Sequence, residues 1–161
     1  MPPSRQIDWF FAASFAASQD ACAQAEDWAR KAGLPETLVL RLVIVIEELF
    51  TNTIKHGYCG ESNRPVRISL DCREGLAHLD YRDQAPPFDP IHTPPIIDPD
   101  RPPDDVGGMG LLLIQTLGGN ASYAHEDGWN LIRLSVGAAP APGAKGLIAG
   151  KAQRKHRQQG K

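Results

Sequence analysis

VIVIEELFTNTIKHG, residues 43–57, is the stretch around which the chain is read. Taken as a helix with Glu48 at zero, it puts Asn52 near about 40°, Lys55 near about −20° and His56 near about 80°. A carboxylate, an amide and a cation then share one narrow polar stripe. Val43, Ile44, Val45, Ile46, Leu49, Phe50 and Ile54 wrap most of the other faces, so the helix is expected to be buried apart from a polar slot. Such a slot is either a satisfied internal network or a ligand site. A strand is the rival, because Val43 to Ile46 are β-branched and Glu48, Asn52 and His56 also coincide at period two. The patterned segment runs from about Glu36 to His56, about twice the upper limit for a strand, and length decides for a helix.

The chain as a whole has the composition of one soluble domain: 161 residues, 42% hydrophobic and 22% charged. No run reaches the 18 or so apolar residues of a membrane span. The apolar patch Trp9 to Ala17 makes a poor signal peptide, since Asp8 precedes it and only Arg5 gives a basic flank. Cys22, Cys59 and Cys72 form no CxxC pair, which suits a reducing, cytoplasmic location and neither a disulfide framework nor a zinc site. Six of the 17 Lys and Arg residues follow Gly143 with no acid among them, leaving 11 against all 19 Asp and Glu in residues 1–144, a formal −8. Residues 1–137 are read as the folded domain. Residues 138–161 are read as a basic, disordered, solvated tail, with no direct nucleic-acid binding expected.

In chain order, Ile7, Trp9 and Phe11 alternate within Gln6 to Ala13 as a first strand. A helix follows from Ser18 as N-cap, with Ala21, Cys22, Ala25, Trp28, Ala29 and Ala32 on one face, Gly33 as the C′ residue and Pro35 as stop. Arg64 to Asp71 and Leu76 to Arg82 make a hairpin about Glu74-Gly75. Ala85 to Pro103 holds eight of the 14 prolines, which excludes a helix or central strand there and suggests a lid or binding loop. Gly107-Gly108-Met109-Gly110 opens a short helix, Leu111 to Leu117, closed by Gly118-Gly119. Ala121 to His125 and Trp129 to Val136 form a second hairpin about Glu126-Asp127-Gly128. The order β-α-α-ββ-lid-α-ββ predicts an α+β fold, a two-layer α/β sandwich whose mostly antiparallel, mixed sheet is covered on one face by helices.

Three separated pieces, Glu48 to His56, Asp83-Gln-Ala-Pro-Pro-Phe-Asp-Pro90 and Gly107-Gly-Met-Gly-Leu-Leu-Leu-Ile114, resemble in order the N box and two glycine boxes of one ATP-binding superfamily. That superfamily, the Bergerat-fold or GHKL module, is shared by gyrase, sensor histidine kinases and mismatch-repair MutL. Within it, Pro-Phe-Asp-Pro and Gly-Met-Gly-Leu-Leu-Leu-Ile are most similar to the bacterial anti-sigma-factor serine/threonine kinases. The resemblance implies ATP and Mg²⁺ as cofactors, Glu48 as general base and Asn52 as metal ligand, a role that suits a hard side-chain oxygen. It implies Asp83 as the residue that specifies adenine, accepting from its exocyclic amine. It places Lys55, His56, Ala85, Phe88, Gly108, Met109, Gly110, Leu111 and Asn130 around the nucleotide, with glycines letting the backbone approach the phosphates. Ala85 stands where the family's Asp-x-Gly pattern has glycine. If that position needs a positive φ, alanine costs on the order of 1 kcal/mol or more.

The implied function is phosphorylation of a serine or threonine on a small anti-sigma antagonist of the STAS type, with a sigma factor as the alternative partner. A homodimer is usual for such kinases. No phosphoacceptor helix pair precedes the first strand, which argues against a sensor kinase. The alternative is an ATP-responsive binding module without turnover.

Overall fold

The computed structural model describes residues 6–95, 100 and 109–137. Its elements are β1 (Ile7–Ala13), α1 (Phe15–Lys31), α2 (Glu36–Asn52), a π turn (Thr53–Gly57), β2 (Ser62–Arg73), β3 (Leu76–Asp83), α3 (Met109–Leu117), β4 (Gly118–Glu126) and β5 (Trp129–Val136). This is the order expected from the sequence. The five strands form one sheet in the order β1-β2-β3-β5-β4. All four pairings are antiparallel, so among the described residues the sheet is more uniform than the mixed one anticipated.

Alternation sorts the sheet into two faces. Val66, Ile68 and Leu70 on β2, Ala77, Leu79 and Tyr81 on β3, and Ile132, Leu134 and Val136 on β5 are buried with the apolar sides of the helices. Phe50 of α2 meets Phe11 of β1 and Tyr81 of β3 edge to face, at centroid separations of 6.1 and 6.0 Å. Each such contact adds about 0.5–1.5 kcal/mol to the burial itself, so this chain of rings seats α2 on the sheet. The opposite face is charged. Asp80 accepts both nitrogens of an Arg82 fork at 2.6 and 2.9 Å and Arg133 Nε at 2.8 Å. Burial would raise the Asp80 pKa, but the two guanidiniums hold it below its ordinary value.

Three local expectations are corrected. The N-cap of α1 is Ser14, not Ser18: Ser14 Oγ accepts Ala17 N–H at 3.1 Å, and Glu61 Oε1 accepts Phe15 N–H at 2.8 Å. Ser18 lies inside the helix and is buried. The C-terminus follows the pattern read from Gly33, which has φ of 78° and donates to Arg30 O while Leu34 N–H reaches Ala29 O.

The second correction concerns α2, which does not continue as an α-helix to Gly57. After Asn52 it widens into the π turn, marked by Tyr58 N–H to Thr53 O at 2.8 Å. Lys55 and His56 are exposed on this turn, whereas Thr53 and Ile54 are buried.

Finally, α3 ends at Leu117 as read, but the strand expected from Ala121 already begins at Gly118. A Cβ on Gly118 would lie 2.9 Å from Ile114 O and 3.0 Å from Leu134 Cδ2, so only glycine lets helix pass directly into strand. Both hairpins turn as read, with positive φ at Glu74-Gly75 and at Asp127-Gly128.

Candidate functional site

Two groups of side chains meet between α2, the ends of β3 and β5, and the start of α3. The first is built on Gly110. A Cβ at that position would stand 2.2 Å from Glu48 Oε2 and 3.9 Å from Asn52 Oδ1, so the backbone of α3 lies directly against the polar stripe of α2. Glu48 and Asn52 are one helical turn apart and half-buried. Burial raises the Glu48 pKa above its ordinary 4.5, the neighbouring Glu47 charge adds to the rise, and Lys55 opposes it. Asn52 Nδ2 is fully buried and, among the described residues, has no hydrogen-bond partner. An unpaired buried amide costs about 1–3 kcal/mol unless something else satisfies it.

The second group surrounds Asp83, the last residue of β3, which is buried. Its Oδ2 accepts from Thr53 Oγ1 at 2.7 Å, and its Oδ1 from Asn130 Nδ2 at 2.7 Å and Ala85 N–H at 3.0 Å. Thr53 Oγ1 also lies 2.8 Å from Tyr81 OH and 3.0 Å from Leu49 O. Burial, and next to it the Asp83 charge, push the Tyr81 phenol far above its ordinary range, so Tyr81 stays a neutral donor. Asn130 is fully engaged. Its Nδ2 also reaches Ala85 O at 3.0 Å and Pro86 O at 3.3 Å, while its Oδ1 accepts from Tyr123 OH at 2.7 Å and Phe88 N–H at 3.3 Å.

These groups enclose a slot of about 30 Å³ lined by Asn52, Thr53, Asp83, Ala85, Phe88 and Asn130. A cavity of about 150 Å³ accommodates benzene, so the slot as it stands is too small for an aromatic ring. The loop after β3 is fastened on its far side as well. Asp89 Oδ1 accepts the N–H groups of Ile91 and His92, and Gln115 Nε2 of α3 donates to Pro90 O and Thr93 O at 3.0 and 2.7 Å. Burial would raise the Asp89 pKa, but bonds from the His92 ring and these N–H groups hold it down.

The candidates are thus partly brought together. Glu48, Asn52 and Gly110 converge, as do Asp83, Ala85, Phe88 and Asn130, and Asn52 belongs to both sets. Leu111 is half-buried on the first turn of α3, and Met109 begins that helix. Gly108 and the stretches 96–99 and 101–108 of the expected lid and glycine box lie outside the described residues, as does the tail 138–161. Lys55 and His56 lie exposed on the π turn. The doubt attached to Ala85 is removed in one respect, because it does not have a positive φ.

Sequence reasoning missed Thr53, Gly57, Tyr123 and Gln115. Thr53 left a trace, a hydroxyl in the apolar run that ends at Gly57; Gly57 and Gln115 meet residues far along the chain, and Tyr123 meets Asn130 across the β4–β5 hairpin.

Residues 11–136 match the family described as histidine kinase-like ATPase domain. A serine-protein kinase RsbW of Listeria innocua is 26% identical over 109 residues, covering 65% of this chain and 69% of that protein. The serine/threonine-protein kinase BtrW of Bordetella bronchiseptica is 27% identical over 103 residues, covering 62% and 70%. A crystal structure of the RsbU and RsbW domains of Rv1364c from Mycobacterium tuberculosis superposes with a TM-score of 0.56 at 18% identity. It covers 85% of this chain, which spans 34% of that longer one, and shows a shared fold. The family match over most of the length agrees with the meeting of Glu48, Asn52 and Gly110: the chain belongs to the histidine kinase-like ATPase domain family.

Proposed function

We propose that this chain is an ATP-dependent protein serine/threonine kinase that phosphorylates a small antagonist protein of the STAS type and holds a sigma factor as its alternative partner. The observation that carries the reading is the convergence of Glu48 and Asn52 on Gly110, with Asn52 Nδ2 buried and unpartnered. A buried N–H donor without a partner calls for an acceptor from outside the described residues, and a phosphate oxygen beside the Asn52-held metal is such a group. The relatives named as serine or serine/threonine kinases support the same reading.

In this proposal Glu48 takes the proton of the attacking hydroxyl, helped by a raised pKa that makes it a better base than an exposed glutamate. Asn52 is suited to hold Mg²⁺ through its side-chain oxygen, and the ion, when bound, would neutralise phosphate charge. The first turn of α3, Met109 to Leu111, would offer its free N–H groups to the phosphates, and the resemblance assigns Gly108 to the same part of the site. Asp83 reads the adenine amine, with Ala85, Phe88 and Asn130 around the base. Lys55 acts at longer range, by tuning Glu48.

The test is transfer of label from ATP with magnesium to candidate antagonist proteins. Wild type should label one of them, and Glu48→Gln should transfer about 10²- to 10⁴-fold more slowly while keeping its nucleotide affinity. If wild type labels none, yet ATP alters its affinity for a sigma factor, the chain is a binding module and the kinase proposal fails. Loss of nucleotide binding or of folding in Glu48→Gln would make Glu48 a structural residue.

A further inference from the structure

The geometry points to Gly57 and Ala85 as a steric pair that sets the width of the base end of the slot, admitting one methyl group between the two chains but not two. A Cβ built on Gly57 would lie 2.7 Å from Ala85 Cβ, closer than real Cβ atoms approach, whereas its next neighbours, Asn52 O and Thr53 Cγ2, would be 3.8 and 4.0 Å away. One contact therefore forbids a side chain at position 57. Backbone conformation does not, because Gly57 lacks a positive φ.

Neither partner can retreat. Ala85 is held through its N–H to Asp83 Oδ1 at 3.0 Å and through its carbonyl, which accepts from Asn130 Nδ2 at 3.0 Å. Gly57 sits in a turn closed by Tyr58 N–H to Thr53 O at 2.8 Å and Gly60 N–H to Ile54 O at 2.7 Å. The hydroxyl of Tyr58, the next residue, accepts Gln84 N–H at 2.8 Å, which ties the two segments directly. Both members line the slot beside Asp83. Ala85, the residue that departs from the Asp-x-Gly pattern, is thus accommodated by a glycine 28 positions earlier in the sequence. A second methyl would force residues 84–86 and the π turn apart, and Asp83 and Asn52 are anchored to those two segments.

This inference rests on the nucleotide reading of the slot, and a four-member cycle separates the two. Wild type, Gly57→Ala, Ala85→Gly and the double variant are titrated with ADP and magnesium, and melted without nucleotide. Gly57→Ala should bind about tenfold or more weakly than wild type and melt lower, whereas the double variant should bind and melt as Ala85→Gly does. Should Gly57→Ala fail to fold, the comparison of Ala85→Gly with the double variant supplies a second arm: the added methyl should now be tolerated.

Wild-type ADP affinity in a folded Gly57→Ala would overturn the inference, even if melting changed, since the contact would then be structural only; where Gly57→Ala does not fold, a double variant weaker than Ala85→Gly would overturn it. A double variant as weak as Gly57→Ala would overturn it too. If no member binds ADP, the nucleotide reading fails, and melting decides the steric pair: recovery in the double variant upholds it, and additive losses refute it.

Discussion

Asn130 and Asp83 face each other across the β3–β5 pairing as direct register partners, and Asn130 Nδ2 donates to Asp83 Oδ1 at 2.7 Å. Both side chains point to the helix-covered face at its open end, one from each of two neighbouring strands. The carboxylate proposed to read adenine is therefore already held in place, with acceptor capacity left on Oδ2 beside Thr53. Asp83→Asn keeps the shape but turns one acceptor oxygen into a donor amide. It should weaken ATP by about tenfold or more while costing only about 1–2 kcal/mol of stability, because Thr53 can turn its hydroxyl to Leu49 O. Calorimetric titration showing unchanged affinity would remove Asp83 from the site.

Asn130 also fastens the loop after β3, and Tyr123 OH helps to orient it. Tyr123→Phe deletes one hydrogen bond, worth about 1 kcal/mol net, without disturbing the slot lining. The Phe88 amide should exchange with solvent faster in the free protein, and nucleotide association should speed up by about fivefold. Slower or unchanged association in stopped-flow mixing would show that the clasp does not limit entry.

Gly110→Ala separates the site from the fold. The new methyl would meet only the mobile end of Glu48, at Oε2, and alanine is favoured over glycine in a helix by about 1 kcal/mol. Thermal stability should hold or rise, whereas phosphoryl transfer should fall by about tenfold or more as the carboxylate is displaced. Normal transfer in this variant would mean that the position of Glu48 is irrelevant to the reaction.

The raised Glu48 pKa gives the reaction a pH signature. Only the deprotonated carboxylate can take a proton, so transfer should fall as pH drops through a value above 4.5. Removing the adjacent like charge with Glu47→Gln should move that acid limb to lower pH, and Lys55→Met should move it higher. For stability the sign is opposite: the folded state binds the proton more tightly, so the favourable contribution is complete below 4.5 and is lost as pH rises through the folded value. A pH–rate profile unmoved by both substitutions would assign the limb to another group.

Much of this protein was fixed by local pattern. Alternation placed Val66, Ile68, Leu70, Leu79 and Tyr81 on the buried face, Glu74-Gly75 and Asp127-Gly128 specified their turns, and the order of the elements followed from the helical and strand periods. Glu48 and Asn52 were legible for the same reason, since one helical turn suffices to align them. Tertiary structure decided what depends on distance across the chain. After Asn52 the helix widens into a π turn on which Lys55 and His56 are exposed, a change that a fixed rotation of 100° per residue cannot express. The strand order made Asp83 and Asn130 partners across 47 positions. Whether Ala85 fits was settled by Gly57, because a methyl group's cost depends on which atoms the fold brings within 3 Å of it, and the residue's own identity does not carry that information.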